Sequence, residues 1–126
     1  MKSAYNRQLG KTVLVTSAGL TLYHNATESK GHVRCTGGCT SAWPPLLLPA
    51  GGHPTAGAGV SQAKLGTMRR PDGKTQVAYG GMALYRFGSD TRAGDARGQG
   101  VGGIWFAVAA TSPATTSTPT DTGYGY

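Results

Sequence analysis

Two cysteines and three histidines are the residues with the clearest chemical potential. Cys35 and Cys39 are separated by Thr36-Gly37-Gly38, and His32 stands three positions before the first of them. His24 lies a little upstream and His53 further on. Reduced, the thiolates together with His24 and His32 would suit zinc or copper, a metal- or haem-linked redox site. Oxidised, the pair closes a small ring and supplies no thiolate. An even cysteine count at close spacing in a glycine-rich, loop-rich chain suggests the disulfide, and with it an oxidising compartment. Glycines between the two permit the necessary bend. Neither Cys-x-x-Cys nor Cys-x-x-Cys-His is present, so neither the usual dithiol redox motif nor covalent haem attachment is expected. The favoured reading is a Cys35–Cys39 disulfide, no metal and no cofactor, with the His32/Cys35/Cys39 redox site as the alternative.

No catalytic set stands out. The five acids, Glu28, Asp72, Asp90, Asp95 and Asp121, are spread along the chain. There is no Gly-x-Ser-x-Gly, no His-Glu-x-x-His and no phosphate-binding loop. A remaining arrangement is aromatic: Tyr85-Arg86-Phe87-Gly88-Ser89-Asp90. On a strand Tyr85 and Phe87 share a face. Asp90 follows where a loop should begin. It can close that loop by accepting backbone N–H groups, or stand beside an aromatic platform that would take a sugar or a cation.

These residues belong to an internal repeat. Aligning residue i with i+62 pairs Val15 with Val77, Gly19 with Gly81, Leu22 with Leu84, Tyr23 with Tyr85, Gly38 with Gly100 and Trp43 with Trp105. Glu28 falls on Asp90, so the acid recurs. Trp43 and Trp105, equivalently placed, are expected in the core. The cysteines have no counterpart: Arg97 and Val101 stand in their places.

The full motif resembles that of a family of secreted bacterial repeats, often lipoproteins, marked by Tyr-x-aromatic-x-x-Asp. The first copy, Tyr23-His24-Asn25-Ala26-Thr27-Glu28, departs from it at Asn25 and Glu28. Cys35 to Leu46, ending Trp43-Pro44-Pro45-Leu46, is similar to the same family's cysteine and Trp-Pro-Pro-Leu stretch. The resemblance covers about residues 12 to 109 and implies an exported tandem-repeat protein. The family is of unknown function, so no activity follows from it. No anchor cysteine is present among these residues, so the family's membrane attachment is not carried over to this sequence; the expectation is an extracytoplasmic protein, secreted or envelope-anchored through a removed leader.

The elements that position these residues read as strands. Thr12–Thr16, Leu20–Tyr23, Thr75–Tyr79, Met82–Phe87 and Ile104–Val108 are the candidates, with turns at Ser17-Ala18-Gly19, Pro71-Asp72-Gly73-Lys74 and Gly80-Gly81. Thr40–Trp43 is expected to form a helical turn that Pro44-Pro45 stops. Residues 1–10 read as a polar lead-in, and Ala50–Ala58 as a Gly/Ala/Pro-rich separator. Residues 111–126 read as a disordered Thr/Pro/Gly-rich tail. The expectation is an all-β fold. One antiparallel domain, residues 1–110, is built from two pseudo-symmetric repeats at about 12–48 and 71–109 that pack on each other.

Composition bounds the rest. The chain has 126 residues, only 13% of them charged, and a net charge of +7. The basic residues are scattered, with only Arg69 and Arg70 adjacent, and no nucleic-acid motif is present. Solubility, or loose attraction to an anionic envelope or cell wall, is the simpler meaning of the charge. No apolar run approaches the ~20 residues of a membrane span. MKSAYNRQLG lacks the apolar core of a signal peptide, so an exported chain is expected to have lost a leader upstream. These readings converge on a non-enzymatic extracytoplasmic module that binds or supports a cell-envelope component or small ligand. No nucleic-acid partner is expected.

Overall fold

A computed structural model describes residues 1–49 and 51–110; the tail expected at 111–126 lies outside them. The fold is all-β, made of short antiparallel strands with one four-residue helix. The strands are β1 (Lys2–Asn6), β2 (Lys11–Val15), β3 (Tyr23–Asn25), β4 (Leu47–Leu48), β5 (Leu65–Arg69), β6 (Thr75–Tyr79), β7 (Met82–Ala83) and β8 (Trp105–Ala107). The helix α1 spans Cys39–Ala42 and ends before Pro44-Pro45, which cannot supply the next backbone donors. Single 3-10 turns occupy Gln62–Lys64 and Val101–Gly103.

Sheet pairing joins distant parts of the chain. β1 pairs with β2 as a hairpin, and β3 pairs with β8, setting Tyr23 opposite Ala107 and Asn25 opposite Trp105. β6 sits between β4 and β5 and also pairs with β7. Tyr23 and Tyr85 exchange backbone hydrogen bonds, the Tyr23 N–H donating to the Tyr85 carbonyl at 2.8 Å and the reverse bond measuring 2.9 Å.

The apolar residues collect in two clusters. One contains Val13, Val15, Tyr23, Cys35, Trp43, Tyr85 and Trp105. The other contains Leu14, Leu22, Val77, Tyr79 and Leu84. Alternation along β2 explains the division: Val13 and Val15 face the first cluster and Leu14 the second. Burying both faces of a strand requires layers on both sides, and short strands from both halves of the chain supply them.

Three local readings of the sequence need correction. Residues 2–6 are a strand, not a lead-in. KSAYN buries only Asn6, so no apolar alternation marks it; its pairing with β2 is a main-chain matter. The strand placed at Leu20–Tyr23 starts instead at Tyr23, because Thr16 to Leu20 closes a tight turn. In it the Thr16 N–H donates to the Leu20 carbonyl, the Leu20 N–H donates to Thr16 Oγ1, and Gly19 takes φ +90°. The strand placed at Met82–Phe87 keeps its ladder only over Met82–Ala83, after which Tyr85 bridges to both Tyr23 and Pro45. The separator is also tied down, since the Ser3 N–H donates to the Ala58 carbonyl and the Gly57 N–H to the Met1 carbonyl.

Candidate functional site

The two aromatic–acid segments meet at the centre of the molecule, and each completes the other. The Tyr23 hydroxyl donates to Asp90 Oδ2 at 2.5 Å, and the Tyr85 hydroxyl donates to Glu28 Oε2 at 2.6 Å. Both tyrosines are fully buried, and Glu28 and Asp90 are each 5% exposed. A charged acceptor shortens and strengthens such bonds. The carboxylates also close the loops that follow them. Glu28 Oε2 accepts the N–H groups of Arg34 and Cys35, while Asp90 Oδ1 accepts the N–H of Arg97. The Gly98 N–H in turn donates to the Tyr23 hydroxyl oxygen. Burial pushes both tyrosine hydroxyls well above the ordinary phenol range, and the adjoining carboxylates push them further.

Between the two tyrosines lies an aromatic stack. The Trp43 and Trp105 rings are 3.9 Å apart and within 5° of parallel. Tyr23 meets Trp43 edge-on at 5.4 Å, and Tyr85 meets Trp105 edge-on at 5.1 Å. Phe87 stacks on the outer face of Trp43 at 4.3 Å. Gly98 is required here for space alone: a Cβ would lie 2.8 Å from Trp43 and 2.9 Å from Tyr23.

The cysteines are bridged, with an S–S distance of 2.04 Å, and Cys35 belongs to the same buried cluster as Trp43. The thiolates that the redox alternative needs are therefore consumed. His24 is half-buried beside Phe106, while His32 is exposed, so the histidines named with the cysteines do not converge. Among the described residues no group of three or more His, Cys, Asp or Glu is placed to hold a metal. The His24 Nδ1 is buried without a hydrogen-bond partner, and burial holds its imidazole below the usual histidine range. The platform reading of Tyr85 meets the same obstacle of access, because no face of its ring reaches solvent.

Reading the sequence alone missed two features. The first is a buried guanidinium. Arg70 is 2% exposed and donates to Gln76 Oε1, to the Cys35 carbonyl and to Asp72 Oδ2. Gln76 then donates to the Leu84 carbonyl. The available signal was a mismatch in the 62-residue alignment, where Gln76 falls on Leu14. The second is an open cleft of about 520 Å³ walled by Tyr5, Arg7, Gln8, Arg92 and Asp95. Tyr5 is 65% exposed, the most exposed large apolar side chain described. Nothing flagged it, because it sits in the segment read as a lead-in.

No helix among the described residues is long and apolar enough to cross a membrane. No curated protein and no solved structure matches the chain. Residues 66–109, the segment that carries Tyr85, Phe87, Asp90 and Trp105, match the family described as a secreted repeat of unknown function.

Proposed function

We propose that the chain is a non-enzymatic extracytoplasmic module at the bacterial cell envelope, in which the aromatic–acid motif serves as a lock between two repeats. The observation that carries this reading is the crossed pairing of Tyr23 with Asp90 and of Tyr85 with Glu28. A 62-residue shift turns one pair into the other, and it also maps the Ala26 N–H to Ile104 carbonyl bond onto the Gly88 N–H to Ala42 carbonyl bond. Side chains paired in this way are spent on the interior, although Glu28 Oε1 is buried there without a hydrogen-bond partner. An acid or nucleophile for catalysis needs access to a substrate. Asp72 and Asp95 are engaged at turns: Asp72 Oδ1 accepts the Lys74 N–H, and Asp95 Oδ2 accepts the N–H groups of Thr91 and Arg92. Among the described residues Glu28, Asp72, Asp90 and Asp95 each spend at least one carboxylate oxygen on the fold, which leaves an exterior richer in cations to face an anionic envelope.

Co-sedimentation with washed cell-wall material tests the proposal. The folded protein is expected to pellet with the wall fraction, and Tyr85→Phe, whose change is internal, is expected to pellet equally. Failure of the folded wild type to pellet at any salt concentration would refute the envelope role.

A further inference from the structure

We infer that the cleft between the β1–β2 turn and the 91–95 loop is a saccharide-binding site that prefers a sugar bearing an acidic substituent. This rests on the envelope reading above and names the ligand class and the residues that would meet it. The side-chain set is the one sugar recognition calls for. An exposed aromatic ring offers a flat apolar face to the C–H face of a pyranose. Planar polar groups, here Arg7, Gln8, Arg92 and Asp95, offer paired donors and acceptors to hydroxyls. Asp95 is kept ionised by two backbone N–H groups and by nearby Arg97 and Arg92, so it stays an acceptor. Arg7 and Arg92 form no ion pair among the described residues. Two guanidiniums on one cleft, neither within ion-pair distance of a carboxylate among the described residues, are suited to a carboxylate or phosphate carried by the sugar.

The cleft is built rather than incidental. Asn6, 4% exposed, ties its two walls together: Oδ1 accepts the Leu9 N–H, closing the turn that carries Arg7 and Gln8, while Nδ2 donates to the Gly94 carbonyl in the opposite loop. Thr21, 1% exposed, fixes the same loop from below by donating to the Asp95 carbonyl at 2.7 Å. Ala93 seats against Gly19, where a Cβ would come within 2.8 Å of the Ala93 Cβ. Buried side chains thus hold both walls before any ligand arrives, which lowers the ordering cost of binding. Its volume, about 520 Å³, is that of a small-ligand site. None of these residues takes part in the crossed tyrosine–acid lock.

Isothermal titration with a defined uronic-acid oligosaccharide, and with a neutral oligosaccharide of equal length, tests the inference on the full chain. The acidic oligomer is expected to bind at least tenfold more tightly than the neutral one. Tyr5→Ala should weaken it at least tenfold, and Arg7→Ala with Arg92→Ala should erase the preference for the acidic form. All three positions are exposed, so unchanged thermal unfolding is expected alongside. Equal binding of both sugars would overturn the acidic preference. Binding that survives Tyr5→Ala but vanishes in salt would reduce the cleft to a diffuse charge effect and overturn the site, as would no binding of either sugar. Wild type and Tyr5→Ala pelleting equally with cell-wall material would refute this site and leave the envelope role standing. Wild type failing to pellet would refute the envelope role itself.

Discussion

Tyr23 and Tyr85 occupy aligned positions, but removing their hydroxyls leaves different groups without a partner, since Gln76 beside Tyr85 keeps the Leu84 carbonyl. Removing the Tyr85 hydroxyl leaves Glu28 Oε2 with the Arg34 and Cys35 amides. Removing that of Tyr23 strips Asp90 Oδ2 of its partner and leaves the Gly98 N–H without an acceptor. Each orphaned buried group costs about 1–3 kcal/mol. Tyr23→Phe is therefore expected to destabilise more than Tyr85→Phe, by a margin visible in urea unfolding; the reverse order would contradict the hydrogen bonds described. The same two hydroxyls set the alkaline limit. Their folded pKa is raised, so their contribution is full below the ordinary tyrosine pKa of about 10 and is lost as pH climbs beyond it. Phenolate absorbance of the native protein should show Tyr23 and Tyr85 resisting ionisation until the chain unfolds. His24 sets a limit on the acid side by the opposite sign. Its folded pKa is lowered from 6.5, chiefly by burial, so stability falls as pH drops below that value, where the unfolded chain takes up the proton first. His24→Gln should flatten this part of the melting-temperature profile. A slope that persists would assign it to another group.

At the level of elements, the sequence was most informative where apolar periodicity was strong. Val13, Leu14 and Val15 mark β2, Val77 and Ala78 mark β6, and Trp105 with Ala107 marks β8. It was silent on β1, whose lone buried side chain is a polar Asn6 acting through hydrogen bonds. It could not reveal that Asp90 takes the Tyr23 hydroxyl, because a partner 67 positions away leaves no local signature. Glycines show the same limit. Gly98 looks like any member of its glycine-rich loop, yet its neighbours are Trp43 and Tyr23. Gly98→Ala should cost about 1–3 kcal/mol through overpacking. Gly100→Ala meets nothing within 4 Å, but its φ of +79° strains any side chain, so it isolates backbone cost from crowding. Comparing the two variants in urea, with Trp fluorescence as probe, separates the effects, since only the first should perturb the Trp43 environment. The disulfide is a milder constraint. A ring this small is worth ~2 kcal/mol in the chain-entropy account. Reduction should lower stability without dissolving the β structure seen by circular dichroism.

For the molecule as a whole, the crossed contacts bear on what can fold alone. Residues 66–109 coincide with the segment matched to the secreted repeat, yet that segment is incomplete by itself. Its Asp90 takes the hydroxyl of Tyr23, its Trp105 stacks on Trp43, its β8 pairs with β3 and its β6 pairs with β4. Isolated, it would expose an indole face, an unpaired carboxylate and two strand edges, each costly and none compensated. A peptide of residues 66–109 is therefore expected to be unfolded by circular dichroism and amide chemical-shift dispersion. The intact chain should unfold in one transition, coincident by fluorescence and circular dichroism, because neither half keeps a core once the other departs. A folded peptide, or two separated transitions, would mean that each half holds its own core and that the tyrosine–acid pairs merely decorate the contact. If the single transition is observed, the motif has a physical rationale that needs no substrate. A tyrosine and an acid five residues apart do not pair with each other here; Tyr23 takes Asp90 and Tyr85 takes Glu28, so each segment relies on the other to bury its own pair of side chains.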